Sequence, residues 1–136
     1  MKAIARHTKG MFTHVIDIRG HRLTVDEPVD RGGADEGPTP QELLAASIAS
    51  CTAITLRIYA NRKGWDLGQV EVECEYETAE RGSPTQLNVV VRLPDSCSEE
   101  QVNKLRVIAA KCPVHRLLEG ESIFEERIEL VAPVRT

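Results

Sequence analysis

The stretch GPTPQELLAASIASCTAITLRIYANRK, Gly37 to Lys63, decides how the rest of the chain is arranged. Thr39 is placed to cap a helix, and Pro40 suits the first helical position, where an amide hydrogen has no partner in any case. Glu42, three residues after Thr39, completes a capping box. No charge interrupts the run from Leu43 to Leu56. At about 100° per residue, Leu44, Ser47, Ile48, Ile54, Thr55 and Ile58 surround Cys51 on one face. Ala46, Ala49, Ala53, Leu56 and Ala60 cover the opposite side. A helix that is apolar on every side is a buried one, so Cys51 is expected in a core. Because the uncharged run is shorter than the roughly 20 residues that cross a bilayer, the expectation is the central helix of a soluble protein.

Composition narrows what that helix serves. At 136 residues, with 41% hydrophobic and 28% charged residues, the chain fits one globular domain, 1–136, able to close a modest core. A net charge of -4 argues against a nucleic-acid binder that neutralises phosphates, and 4% aromatic residues leave little for base stacking. Small molecules or protein partners are expected instead. No apolar run follows a basic N-terminus, and four cysteines without a secretory signal read as thiols rather than a disulfide framework. The expected address is the cytoplasm, away from any membrane.

Around the central helix the pattern is of strands in blocks. Met1 to Thr8 and Met11 to Ile18 read as two strands joined through Lys9-Gly10, and His21 to Asp26 as a third in a meander. Val29 to Gly37 is a glycine-rich acidic loop, either mobile or a lid over the start of the helix. Gly64 ends the helix and lets Trp65 pack back on its last turn. Val70, Val72, Cys74 and Tyr76 alternate with glutamates as a half-exposed strand, whose hairpin partner carries Leu87, Val89 and Val91 on one face. Ser98 and Gln101 start a second helix, with Val102, Leu105, Ile108, Ala109 and Cys112 at helical spacing until Pro113 stops it. A short helix from Pro113 to Glu119, closed by Gly120, then places Cys112 at its N-cap. Ser122 to Val131 is expected to complete the sheet. The order βββ-α-ββ-α-β indicates an α+β fold with an antiparallel sheet. Two apolar faces on one helix need more cover than a sheet of this size offers, which favours a dimer with central helices in contact.

The cysteines divide by context. Cys74 lies on the apolar face of a strand and Cys97 in a loop, and both read as structural. Cys112 at an N-cap faces unpaired amide hydrogens, with Lys111, His115 and Arg116 nearby, conditions that lower a thiol pKa. The alternative is a small residue filling a helix junction. Cys51 has no charged neighbour on its own face, so local sequence alone reads it as inert. Cys112 and His115 have ligand-like spacing, but no second close pair supports a metal. No nucleophile elbow and no phosphate loop is present, and His7, His14 and His21 share no face, so none is given a role.

PTPQELLAASIASCTAI followed about sixty residues later by CPVHRLL resembles the OsmC/Ohr family, the osmotically induced and organic-hydroperoxide-resistance proteins. The likeness runs over nearly the whole chain. It implies an intertwined homodimer with two sites at the subunit interface and a thiol-dependent peroxidase acting on organic hydroperoxides, with a dithiol or a lipoylated protein as reductant and no cofactor. By that resemblance Cys51 is the peroxidatic nucleophile. It forms a sulfenic acid that Cys112, the resolving thiol, captures as a disulfide. The alternative within the same family is a redox-sensing or apolar-ligand-binding protein with little turnover.

The sequence departs from the family pattern at the activating pair. Family peroxidases carry a glutamate ten residues before the first cysteine to hold an arginine beside the thiolate. Here that position is Gln41, with Glu42 next to it. Glu42 is roughly 14 Å of helix rise from Cys51 and on the opposite face, so a capping role is expected first and an arginine-holding role second. Arg31 is the first candidate for the arginine, ahead of Arg19 and Arg22.

Overall fold

A computed structural model describes residues 1–77 and 79–133. Its elements run β1 (Ile4–Lys9), β2 (Thr13–Ile18), β3 (His21–Val25), a single 3-10 turn (Val29–Arg31), α1 (Pro40–Lys63), β4 (Glu71–Tyr76), β5 (Leu87–Arg92), α2 (Glu99–Ala109) and α3 (Pro113–Glu119). This is the expected α+β order as far as α3, with antiparallel pairing throughout. The strands form two sheets rather than one, β1-β2-β3 and β4-β5.

The capping signals work as the sequence suggests. Thr39 Oγ1 accepts from the Glu42 amide at 3.1 Å while Glu42 Oε1 accepts from the Thr39 amide at 2.9 Å. Ser98 and Gln101 repeat the arrangement at α2. At the other end of α1, Gly64 takes φ 71°, the left-handed region that glycine enters without strain. Trp65 then folds back with its ring 5.6 Å from that of Tyr59.

The core forms where α1 meets β4, α2 and α3. Leu56, Ala60, Leu67 and Leu105 are buried at its centre, with Val70, Val91, Leu93 and Ile108 packed around them. Each such leucine contributes about 1.5–3 kcal/mol by leaving water. By length and composition alone α1 is apolar enough to cross a membrane, with a mean hydropathy of 1.5 over its best window. Here it is instead the helix on which the rest of the core packs.

Two expectations change. Burial of α1 is confined to Ile48, Thr52, Leu56 and Ala60, an i, i+4 stripe, while Leu44, Ile54 and Ile58 stay exposed and Cys51 is half-buried rather than sunk in the core. The physical reason is that the single chain supplies cover for one side of the helix only. The expected last strand, Ser122 to Val131, carries no assigned secondary structure. Ile123, Phe124, Ile128, Leu130 and Val131 are 82–96% exposed there. A strand needs a ladder partner, and this segment meets none among the described residues. Sheet β1-β2-β3 likewise has no helix packed on it to the extent that β4 has α1. Phe12, Ile18 and Leu23 remain exposed.

The acidic loop before α1 is tied down rather than loose. Asp26, 2% exposed, accepts from Thr13 Oγ1 at 2.8 Å, from the Glu27 amide at 2.7 Å and from the Glu36 amide at 3.3 Å. Burial pushes its carboxyl pKa up, and these hydrogen bonds, with one from the backbone of Ala34, outweigh that and hold it below the ordinary value. Its own amide donates to Pro38 O at 3.1 Å, which closes the loop against the start of α1. Gly33 and Gly37 pass so close that a Cβ would lie 1.9 Å from Glu27 O and 2.3 Å from Thr24 O.

Candidate active site

The two cysteines singled out in the sequence stand on α1 and at the start of α3, and the packing of α3 on α1 relates them. Cys112 is fully buried, with extended backbone (φ -64°, ψ 142°) at the N-cap of α3. Pro113 at the next position makes that geometry favourable, and the Cys112 sulfur accepts from the His115 amide at 3.3 Å. This is the capping role that the sequence suggested. The same sulfur accepts a second hydrogen bond, from Thr52 Oγ1 at 3.7 Å. Thr52 is the residue after Cys51, so the α3 thiol meets the buried face of α1 at the neighbouring position, about 100° around the helix from the half-buried Cys51. Both thiols are free.

Beside this junction lies a cavity of about 640 Å³ between α1, β5, α2 and α3. Ile48, Leu87, Val89, Val91 and Leu105 give it an apolar lining, joined by Thr52, and Arg106, His115 and Glu119 supply its charged and titratable groups. His115 Nε2 pairs with Glu119 Oε1 at 2.9 Å within α3. Among the described residues no group of three or more His, Cys, Asp or Glu side chains is arranged to hold a metal, so the Cys112 and His115 pair has no further ligand.

The supporting residues gather elsewhere. Arg31, Gln41 and Glu42 share a cleft of about 510 Å³ with Thr39, Cys74 and Tyr76, and Cys51 is not among its lining. Glu42 is engaged in the capping box. Arg31 stands 4.0 Å from Glu27, while Gln41 is fixed through its carbonyl, which accepts from Tyr76 Oη at 2.6 Å. Arg22 pairs with Asp17 at 3.1 Å, and Arg19 occupies the β2–β3 turn with φ 50°. Cys74 faces this second cleft, and burial pushes its thiol pKa up, which makes it the less reactive kind of cysteine. Cys97 packs at the edge of the core. Sequence reasoning missed Thr52, because a threonine inside an apolar helix carries no local sign that a sulfur from another helix will be its hydrogen-bond acceptor.

The family model for OsmC-like proteins matches residues 32–127. No curated sequence matches the chain. Among solved structures it is similar to a protein from Psychrobacter arcticus described as an osmotic stress induced and detoxification response protein. That match has 19% identity and a TM-score of 0.75, covering 86% of this chain and 87% of the other. An OsmC like protein from Mycoplasma pneumoniae gives a TM-score of 0.73 at 17% identity, covering 88% of this chain and 86% of that one. A protein from Legionella pneumophila described as an organic hydroperoxide resistance protein gives 0.65 at 21% identity, covering 88% of each. At these identities the likeness speaks for the fold.

Proposed function

The chain belongs to the OsmC-like protein family, and on that premise we propose that it is a thiol-dependent peroxidase that reduces organic hydroperoxides to alcohols. The observation that carries the reading is the lodging of the buried Cys112 sulfur against Thr52, the neighbour of Cys51 on α1. In the first step the Cys51 thiolate attacks the peroxide oxygen that does not carry the alkyl group. The O–O bond breaks, the alkoxide leaves and takes a proton, and Cys51 becomes a sulfenic acid. In the second step the Cys112 thiolate attacks that sulfur, hydroxide departs as water after taking a proton, and a Cys51–Cys112 disulfide forms. An external dithiol, free or carried on a lipoylated protein, returns the pair to thiols and is itself oxidised to a disulfide. A disulfide requires the two Cα atoms to come within about 4.4–6.8 Å, and what supports such an approach is that α3 packs on α1. The apolar lining of the cavity beside Thr52 and His115, which neither Cys51 nor Cys112 itself lines, suits alkyl chains.

The reading includes a homodimer and a cytoplasmic address. What supports the dimer is the amount of apolar surface that one chain leaves bare on α1, on β1-β2-β3 and along residues 121–133. Sedimentation velocity at micromolar concentration tests it, and a monomer there removes this part.

Consumption of cumene hydroperoxide in the presence of dithiothreitol tests the chemistry. Multiple turnovers that vanish in Cys51→Ser are expected, whereas in Cys112→Ser dithiothreitol reduces the sulfenic acid directly and no Cys51–Cys112 disulfide forms. A Cys51→Ser variant with full activity overturns the assignment. The second reading, redox sensing or apolar-ligand binding, draws on the engagement of Glu42 in the cap and on the absence of Cys51 from the cleft that holds Arg31. Formation of the disulfide without repeated turnover, whichever dithiol is supplied, favours it.

A further inference from the structure

We propose that Thr52 is a positioning residue for the second thiol, holding the Cys112 sulfur ready to capture an oxidised Cys51. This inference rests on the two-cysteine reading above and adds a residue to it. Thr52 is 2% exposed, so its hydroxyl is cut off from water and needs a partner inside the protein. Its hydrogen bond runs to the Cys112 sulfur, 3.7 Å away, rather than to a carbonyl one turn back in α1. The His115 amide approaches the same sulfur at 3.3 Å from the α3 side. Two donors on two helices therefore fix a thiol that is itself fully buried, and a side chain held in this way no longer searches its rotamers.

The placement matters because of what stands next along α1. Cys51 precedes Thr52 on α1 and its side chain leaves the helix about 100° away, so the sulfur must leave Thr52 and swing around α1 to meet Cys51. When Cys112 attacks the Cys51 sulfenic acid, the S–S bond forms, the S–O bond breaks and hydroxide leaves as water. By then Thr52 has given up the sulfur, and its hydroxyl turns to the backbone carbonyl of Ile48, one helical turn back. Pre-orientation of this kind accelerates capture, the step that follows the attack of Cys51 on peroxide.

The test separates the two half-reactions. Wild type, Thr52→Val and Thr52→Ser are mixed rapidly with cumene hydroperoxide, Cys51 sulfenic acid is trapped with dimedone, and disulfide is followed by mass spectrometry. Thr52→Val keeps the shape but removes the donor. Once formed, the sulfenic acid is expected to persist about tenfold longer, the loss of roughly one hydrogen bond. Thr52→Ser should restore wild-type capture. Equal capture in the valine variant, or a serine variant as slow as valine, overturns the proposal. A parallel arm uses diamide, which joins two thiols without a sulfenic acid. Should peroxide give no sulfenic acid in the wild type, the peroxidase reading fails while the diamide rates still decide on Thr52. If the valine variant does not fold, Thr52→Ala against Thr52→Ser carries the same comparison.

Discussion

Replacing Thr39 by alanine and, separately, Glu42 by glutamine distinguishes a helix cap from a catalytic support. Thr39 is 8% exposed and both bonds of its capping box are short, 3.1 and 2.9 Å. Removing such a cap costs about 1 kcal/mol, within a range of about 0.5–2. Unfolding entropy scales at about 2.1 cal/mol/K per residue, so for this chain of 136 residues 1 kcal/mol lowers the melting midpoint by about 3–4 °C. Glu42→Gln keeps an acceptor for the Thr39 amide and gives up only a negative charge in the first turn, about 0.3–1 kcal/mol, or about 1–3 °C. Both variants should keep most of their peroxide consumption, because the carboxylate is engaged at the cap and Cys51 does not share its cleft. Melting by circular dichroism at one fixed protein concentration, alongside cumene hydroperoxide turnover, measures both quantities. A Glu42→Gln variant with an unchanged midpoint and a tenfold loss of turnover would refute the reasoning and return Glu42 to the thiolate. So would a Thr39→Ala variant with no loss of stability.

Asp26 sets an acid limit. Its folded pKa lies below the unfolded value, so its stabilisation is present above the unfolded pKa and is lost as pH falls through the folded one. Urea midpoints should therefore fall below about pH 4, and Asp26→Asn should flatten that part of the curve while lowering stability at pH 7; an unchanged slope counts against the network. Gly37→Ala forces a Cβ to 2.3 Å from Thr24 O and should cost more than the usual effect of about 1 kcal/mol for a point substitution, read as the urea midpoint. Cys74, with its thiol pKa pushed up by burial, should react with iodoacetamide at pH 8.5 more slowly in the folded protein than in urea. Equal rates under the two conditions would contradict that burial. Leu105→Ala, at the centre of the core and 2% exposed, should cost about 2–5 kcal/mol.

Several features were legible because their causes are local. A capping box acts across three residues, a proline at the first helical position and a glycine just past the last act on their own dihedrals, and alternation in β4 needs only a period of two. Hence α1, the β4–β5 hairpin and the N-cap placement of Cys112 could all be read from the chain, and PTPQELLAASIASCTAI with CPVHRLL carried the family. Where the sequence misled, the cause was distance. Apolar residues on two sides of α1 suggested burial all round, yet which side is covered depends on where β4, α2 and α3 pack. Ser122 to Val131 has a strand's composition, but pairing is a property of two segments and no amount of β propensity supplies the second.

The order of elements from β1 to α3, the ends of α1 and the N-cap placement of Cys112 were thus determined by the sequence alone, since each rests on residues within a turn or two of one another, while the choice of Cys51 came from the family resemblance. Tertiary structure decided that the strands divide into two sheets, that Glu42 and Arg31 share a cleft away from Cys51, and that Thr52 meets the sulfur of Cys112. These depend on helices and loops remote in sequence meeting at particular faces, and a contact across sixty residues follows from how all the intervening surfaces pack together.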